Sequence, residues 1–410
     1  MKKKRKDKGQ QIILFDESPD AVKERQEYET QLHKHRRRVR IGWVLGICVA
    51  VAAGVAYFVY DIGRTFHSYG VVWEVNLEGQ SVEFEDWKGG VLEYSQNGAS
   101  YINEKGTVVW SAAYHMSHPT VVTRGEYGLI VDQKGSELVI CNRQLGVTGT
   151  GTTPTSITKG DISEGGVAAV ICESDTVSNI YYYKSTGSRL DIEIKSPLER
   201  TGYPLDLAVS SDGKTLMVSY LYVDSGVMQN KVVFYNFGGD ADEYLAGSFE
   251  YGATDTIVPI VKFFDATKAV AVGDNNVTFY QIHTVSQQKV PKKMVEYSLE
   301  RTILSVFETE DCVGMILSAD TDHPQNTVVL YNAEGEQQMS VDTDQEYTDV
   351  FYNGRFVVLY NQYECVIYDQ KGAEKFHRPF ANGIGKMVAG AKSRRFLLRT
   401  ADYLQEISLK

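Results

Sequence analysis

Beyond residue 40 the chain has six histidines, at 67, 115, 118, 283, 323 and 377. Only His115-Met116-Ser117-His118 brings two imidazoles within ligand spacing. They run straight into Pro119, which suits a surface connection better than a zinc site with its further Cys or His ligands. The acidic runs Asp320-Thr321-Asp322 and Asp342-Thr343-Asp344-Gln345-Glu346 resemble calcium loops in composition. Neither has the glycine and terminal glutamate, at the right spacing, that wrap the ion. No G-x-S-x-G elbow, H-E-x-x-H pair or phosphate loop occurs. Five cysteines at 48, 141, 172, 312 and 365 are too sparse for a disulfide framework and form no C-x-x-C pair. The expectation is a protein with no catalytic set, no metal and no cofactor, whose thiols are buried and free.

The elements that would carry any site begin with Ile41–Tyr60, twenty residues without a charge. As a helix this stretch spans about 30 Å, the thickness of a bilayer's hydrocarbon core. Ile41, Trp43, Leu45, Val51, Tyr57, Phe58 and Tyr60 are the expected lipid anchors. Arg36, Arg37, Arg38 and Arg40 stand on one side, and only Asp61 and Arg64 follow closely on the other. Basic flanks mark the cytoplasmic end of a span, so the N-terminus is expected inside the cell membrane and the rest outside. Forty residues precede the apolar run, an arrangement unlike a cleaved signal peptide. The implied segments are a basic disordered cytoplasmic tail (1–18), a juxtamembrane helix (19–40), the span (41–60), a linker (61–70) and an outer domain (71–410). Ser18-Pro19-Asp20 supplies the helix start: an N-cap, a proline in the first turn, and an acid at the positive end of the dipole.

Charge divides at the same place. The whole chain carries −11 and its first forty residues +6, so residues 41–410 carry −17. An acidic outer domain is a poor ligand for nucleic acid. The basic tail suits an anionic inner leaflet.

Past Arg64, runs of β-branched and aromatic residues alternate with Gly, Asn and Asp. Expected strands include Asn230–Tyr235, Thr327–Tyr331, Arg355–Tyr360 and Tyr181–Tyr183. Asn97-Gly98, Asp212-Gly213 and Asn353-Gly354 are hairpin signals. A turn recurs after these strands: Asn or Asp, two residues, then Gly. It is seen at Asn103–Gly106, Asn332–Gly335 and Asp369–Gly372, as Asn236 with Gly238-Gly239, and more loosely at Lys184–Gly187 and Asn142 to Gly146. The glycines at 106, 146, 187, 239, 335 and 372 lie 40, 41, 52, 96 and 37 apart. The interval of 96 reads as two units, with a degenerate copy near Tyr280-Gln281. A period of about 40–50 in an all-strand region marks a propeller with four strands per blade. Innermost strands are expected near 82, 119, 157, 204, 257, 302, 347 and 384, giving an all-β fold of eight blades; seven is the alternative. The last unit is one strand short. Val71-Val72-Trp73-Glu74-Val75 copies Val108–Ala112, so the N-terminal strand is expected to complete the final blade and close the ring.

The unit Tyr101–Trp110, with its Asx turn, Gly106 and later Trp, resembles the repeat of quinoprotein-like propellers. The layout over 41–410 is similar to a family of uncharacterised single-pass membrane-anchored propellers from Gram-positive anaerobes, a domain of unknown function. Quinoprotein dehydrogenases carry an adjacent cysteine pair and an acidic calcium set, and this chain has no Cys-Cys pair, so a redox role is not implied.

In such a ring, function is expected on long loops. The connections Val223–Asn230 and Ser318–Asn326, between second and third strands, are the longer ones. Asp224, Met228, Asp320, Asp322 and His323 are therefore the candidate binding residues. The expected role is a protein-interaction or cell-envelope assembly module with an envelope protein partner and no nucleic acid. A carbohydrate-acting enzyme with acids in the central pocket, or a transmembrane sensor, are the alternatives.

Overall fold

The computed structural model describes residues 19–77, 82–238, 244–251, 256–285 and 288–410. It divides into two units, 1–64 and 65–410. In the first, one unbroken α-helix runs from Pro19 to Gly63. Its segment Lys34–Tyr57 is long and apolar enough to cross a membrane, and none of it is buried against protein. That criterion rests on length and composition, and a signal sequence meets it too. Ile41, Trp43, Leu45, Val51, Tyr57 and Tyr60 are exposed, as are Arg36, Arg37, Arg38 and Arg40; the side chain of Phe58 lies outside the described residues.

The second unit is an eight-bladed β-propeller. Among the described residues, thirty-two strands form eight four-stranded antiparallel sheets. The innermost strands start at Glu83, Pro119, Ser156, Tyr203, Ile260, Ile303, Asp349 and Lys386, each within three residues of its expected position. The eighth blade joins Lys386–Ala389, Arg395–Arg399 and Tyr403–Leu409 to the N-terminal strand Tyr69–Asn76. That closing strand pairs from Tyr69↔Leu409 to Asn76↔Tyr403, with one irregularity between Val71 and Trp73. No blade is left with an incomplete sheet.

Burial explains the strand sequences. The middle strands Cys312–Leu317 and Phe356–Tyr360 are buried throughout and read as continuous apolar runs, because both faces are covered by adjacent blades. The outermost strand Arg189–Pro197 alternates, one face packed and one wet. Core clusters lie between sheets rather than within them. Met217 and Phe234 of blade 4 pack with Phe263 and Tyr280 of blade 5. Phe356, Val358 and Tyr360 of blade 7 pack with Met387, Phe396 and Leu398 of blade 8. The four thiols beyond the helix, Cys141, Cys172, Cys312 and Cys365, are free and buried.

The recurring Asx-Gly turn lies between the third and fourth strands. Asn103 Oδ1 accepts the amides of Lys105 (2.9 Å) and Thr107 (3.1 Å). Asp369 accepts those of Lys371 and Ala373, both at 2.9 Å. Gly106 sits at φ 76°, the left-handed region that favours glycine. The turn does a second job that local chemistry does not reveal. Trp73 of blade 8 lies over Gly106 so closely that a Cβ there would stand 2.8 Å from the indole. Its Nε1 donates to Glu104 O at 3.0 Å. Trp110 of blade 1 likewise donates to Arg143 O of blade 2 at 3.2 Å, and Tyr297 of blade 5 to Gly335 O of blade 6 at 2.8 Å. Each of these turns is a grip for the outer strand of the blade before it.

Two local expectations are corrected. Val223–Asn230 is not a long loop: Thr215–Asp224 and Val227–Asn236 are two long strands joined by Ser225-Gly226, with Asp224 paired to Val227 and Val223 to Met228. Both turn residues have positive φ, 52° and 81°, the two-residue turn whose twist matches a hairpin. Tyr280-Gln281 is not a degenerate turn but the middle of Asn276–Val285, where Tyr280 Oη meets Tyr251 Oη at 2.6 Å. Residues 286–287, which follow this strand, lie outside the described residues, as does Gly239.

Candidate functional site: a charged funnel on the propeller axis

One charged side chain or more projects from each innermost strand: Glu85 and Asp86, Arg124, Lys159 and Asp161, Asp206, Lys262, Glu308, Asp349, Lys386. A strand points alternate residues to opposite faces. Closing the eight strands into a ring therefore gathers charges spaced about forty residues apart in sequence. They surround a cavity of about 1060 Å³, lined by ten carboxylates and four cations. The lining includes Lys88-Gly89, Glu310-Asp311, Asn353-Gly354 and Gly390-Ala391, so the funnel opens where the innermost strands turn back. The chain enters the propeller on this same face: Phe66 N donates to Lys375 O at 2.7 Å and His67 N to Lys410 O at 3.0 Å.

The ring charges clasp blade to blade. Lys386 Nζ lies 3.5 Å from Glu85, Arg124 Nη2 3.7 Å from Asp161, Lys159 Nζ 2.9 Å from Asp206, and Lys262 Nζ 2.7 Å from Glu308. Asp161 also accepts Val209 N at 2.7 Å, and Asp206 accepts Val261 N at 2.9 Å. Arg124 reaches three blades round the ring to donate to Phe263 O at 2.8 Å. Asp349 accepts Tyr360 Oη at 2.9 Å. Asp86 differs, because its Oδ1 is buried without a hydrogen-bond partner.

Those partners set the proton affinities. Burial lifts Asp206 to about 6 against the opposing pull of Lys159 and Val261 N–H. Burial also raises Glu85, with Lys386 opposing. Glu308 goes the other way: burial raises it, but Lys262, then Arg124 and Lys159, outweigh that and hold it below the usual range. Asp86 is pushed to about 7 by burial first and by Glu85 second, with a bond from Gly89 N–H and the charge of Lys386 opposing and Glu310 adding to the rise. It can hold or release a proton near neutrality.

The folded state keeps the Asp86 proton up to about pH 7, whereas an unfolded carboxyl releases it near 3.8. The folded form binds more protons between these limits, so stability falls as pH rises through the window. Asp86→Asn removes that loss. The variant is expected to gain about 4 kcal/mol at pH 8 and only about 0.5 kcal/mol at pH 4, measured by urea unfolding at both pH values.

The sequence-chosen residues lie elsewhere. Asp224 and Met228 are exposed beside the hairpin tip of blade 4. Asp320, Asp322 and His323 are exposed in the loop of blade 6. Asp320 Oδ1 caps its own turn, accepting Asp322 N at 2.9 Å and His323 N at 2.6 Å, and these bonds, His323 first, hold its carboxyl low. Both groups sit on the face opposite the funnel mouth, separated by blade 5. His115 and His118 are exposed. Among the described residues no group of three or more His, Cys, Asp or Glu could hold a metal ion. Sequence reasoning raised acids in the central pocket only as an alternative and named none of these residues, although the signal was available: superposing the eight expected innermost strands puts a charge in every one.

A search of curated proteins finds no match to the sequence. Solved structures similar to this chain include BamB from Moraxella catarrhalis, at 13% identity and TM-score 0.49, covering 83% of this chain and 100% of that one. Others are the Dos1 propeller, at 10% identity and TM-score 0.49 over 83% and 95% of the two chains, and Hsv2 from Kluyvelomyces marxianus, at 11% and 0.39 over 53% and 73%. At these values the architecture rests on the eight sheets themselves. A family model matches residues 62–409, the whole propeller, and the chain belongs to that family, DUF5711, a family of unknown function.

Proposed function

We propose that this chain is a single-pass membrane protein whose propeller lies outside the cytoplasm and serves as a protein-interaction or envelope-assembly module. The observation that carries the reading is the charge-free run Ile41–Tyr60, flanked by Arg36–Arg38 and Arg40 on one side only and followed within nine residues by the strand Tyr69–Asn76. Such a helix is held by lipid contact, and the basic side stays with the cytoplasm. A ring whose blades grip one another is a rigid scaffold on which exposed loops can select a partner. The contact surface in this reading is the face carrying Asp224, Met228, Asp320, Asp322 and His323. Enzymatic use of the funnel is the second reading: Glu85, Asp161, Asp206 and Glu308 are each engaged by a cation, so it would rest on the other lining carboxylates, Asp86, Glu104, Glu164, Glu310, Asp311 and Asp349.

Photo-cross-linkers placed at Met228 and Asp322 in intact cells test the reading. One recurrent envelope protein, cross-linked from both positions and absent when the linker replaces Lys105, is the expected result. Recovery of no protein partner, or the same proteins from all three positions, would count against it.

A further inference from the structure

The four cations that line the funnel are all already in ion pairs: Lys88 with Glu126, Arg124 with Asp161, Lys262 with Glu308, Lys386 with Glu85. Lys159 from the ring is spent on Asp206. Asp86, Glu104, Glu164, Glu310, Asp311 and Asp349 also line the cavity, and among the described residues none of these six has an ion-pair partner. Like charges packed into a walled cavity repel each other and focus a negative potential outward through its mouth. Asp86 adds an independent sign of something missing. Buried carboxylate oxygens normally have a partner, yet its Oδ1 has none, while the bonds that hold its neighbours in the ring are complete. The cavity is also far larger than one ion needs.

We propose that the funnel is a binding site for an organic cation, an ammonium or guanidinium group entering from the mouth and pairing with Asp86. An ammonium has three donors and no acceptor, which matches a lining dominated by acceptors. A cation would also relieve the repulsion between Glu85 and Asp86. The site is distinct from the contact face on the far side of the ring, so it stands or falls separately from the partner-capture experiment.

Two probes separate the sources of such a cation, both tested on the full chain in detergent by isothermal titration. One is tri-lysine peptide, standing for the basic segment of a partner protein; the other is 1,4-diaminobutane, a free amine. Saturable binding of either supports the site. Preference for the peptide assigns a protein side chain, and preference for the diamine assigns a small metabolite. Asp86→Asn is expected to weaken the preferred probe at least tenfold, while Asp224→Asn on the opposite face leaves it unchanged. A readout without any variant is pH: wild-type affinity is expected to fall about tenfold from pH 8 to pH 5 as Asp86 takes up its proton among Glu85, Glu310 and Lys386. Absence of saturable binding by both probes overturns the proposal. So does equal loss in both variants, or an affinity that tracks ionic strength but ignores Asp86→Asn and pH.

Discussion

Deleting residues 65–76 is expected to abolish the folded propeller, although the deletion removes no residue of the other seven blades. The segment supplies the fourth strand of blade 8, paired over Tyr69–Asn76. It also brings buried Phe66, set edge-on at 6.3 Å to Phe356, and Tyr69, stacked on Phe380 at 4.6 Å. Trp73 goes with it, and so does the grip on the 103–106 turn of blade 1. Fully burying one large apolar side chain is worth about 1.5–3 kcal/mol, and buried Phe66 goes together with half-buried Tyr69 and Trp73 and a whole strand ladder. That loss is comparable to the total stability of an ordinary domain. The exposed edge of Tyr403–Leu409 then becomes a template for pairing with other chains. The expected outcome, read by size exclusion and far-UV circular dichroism on heating, is aggregation and no cooperative transition. A soluble deletion variant that melts cooperatively within a few degrees of wild type would contradict closure by this strand.

Much of the ring was legible because its punctuation is covalent. A left-handed glycine such as Gly106 cannot be exchanged cheaply, so the turn leaves a spacing in the sequence, and the spacing counts the blades. Val71–Val75 was legible for a similar reason, as a copy of an outer strand placed at the wrong end of the chain. Where punctuation was weaker, the reading slipped. Asp224-Ser225-Gly226 looked like the heart of a loop, yet two residues with positive φ let both strands run on to the tip. Tyr280 resembled the aromatic before a turn, but its hydroxyl is spent on Tyr251 inside the core between blades 4 and 5.

The residues that line the funnel were hidden by a different cause. Each innermost strand contributes only one or two charges, and an isolated Asp206 or Lys262 in a strand reads as a solvated side chain. Their meaning lies in contacts across blades, such as Lys159 with Asp206 and Arg124 with Phe263 O, which exist only after the ring closes. Asp86 is harder still, since what distinguishes it is a partner that is lacking. The same limit applies to Glu406, fully buried and paired at 3.0 Å with Arg395: no local pattern marks it as interior.

The second large effect concerns the proposed topology, in which the propeller lies outside the cytoplasm. A helix of about 30 Å with four arginines at one end and almost no charge at the other has a strongly preferred orientation. Reversing it would draw Arg36, Arg37, Arg38 and Arg40 through the bilayer at a cost of about 2.5–3.5 kcal/mol for each one at its centre. The chain beyond the helix should then be reached from outside in one step, as a unit. Protease added to intact cells carrying one epitope after Lys410 and another before Met1 measures this directly. Complete loss of the C-terminal epitope, with the N-terminal one protected until the cells are lysed, is the expected result. A C-terminal epitope that survives on intact cells and disappears only after lysis would place the propeller in the cytoplasm and contradict the proposal at its root.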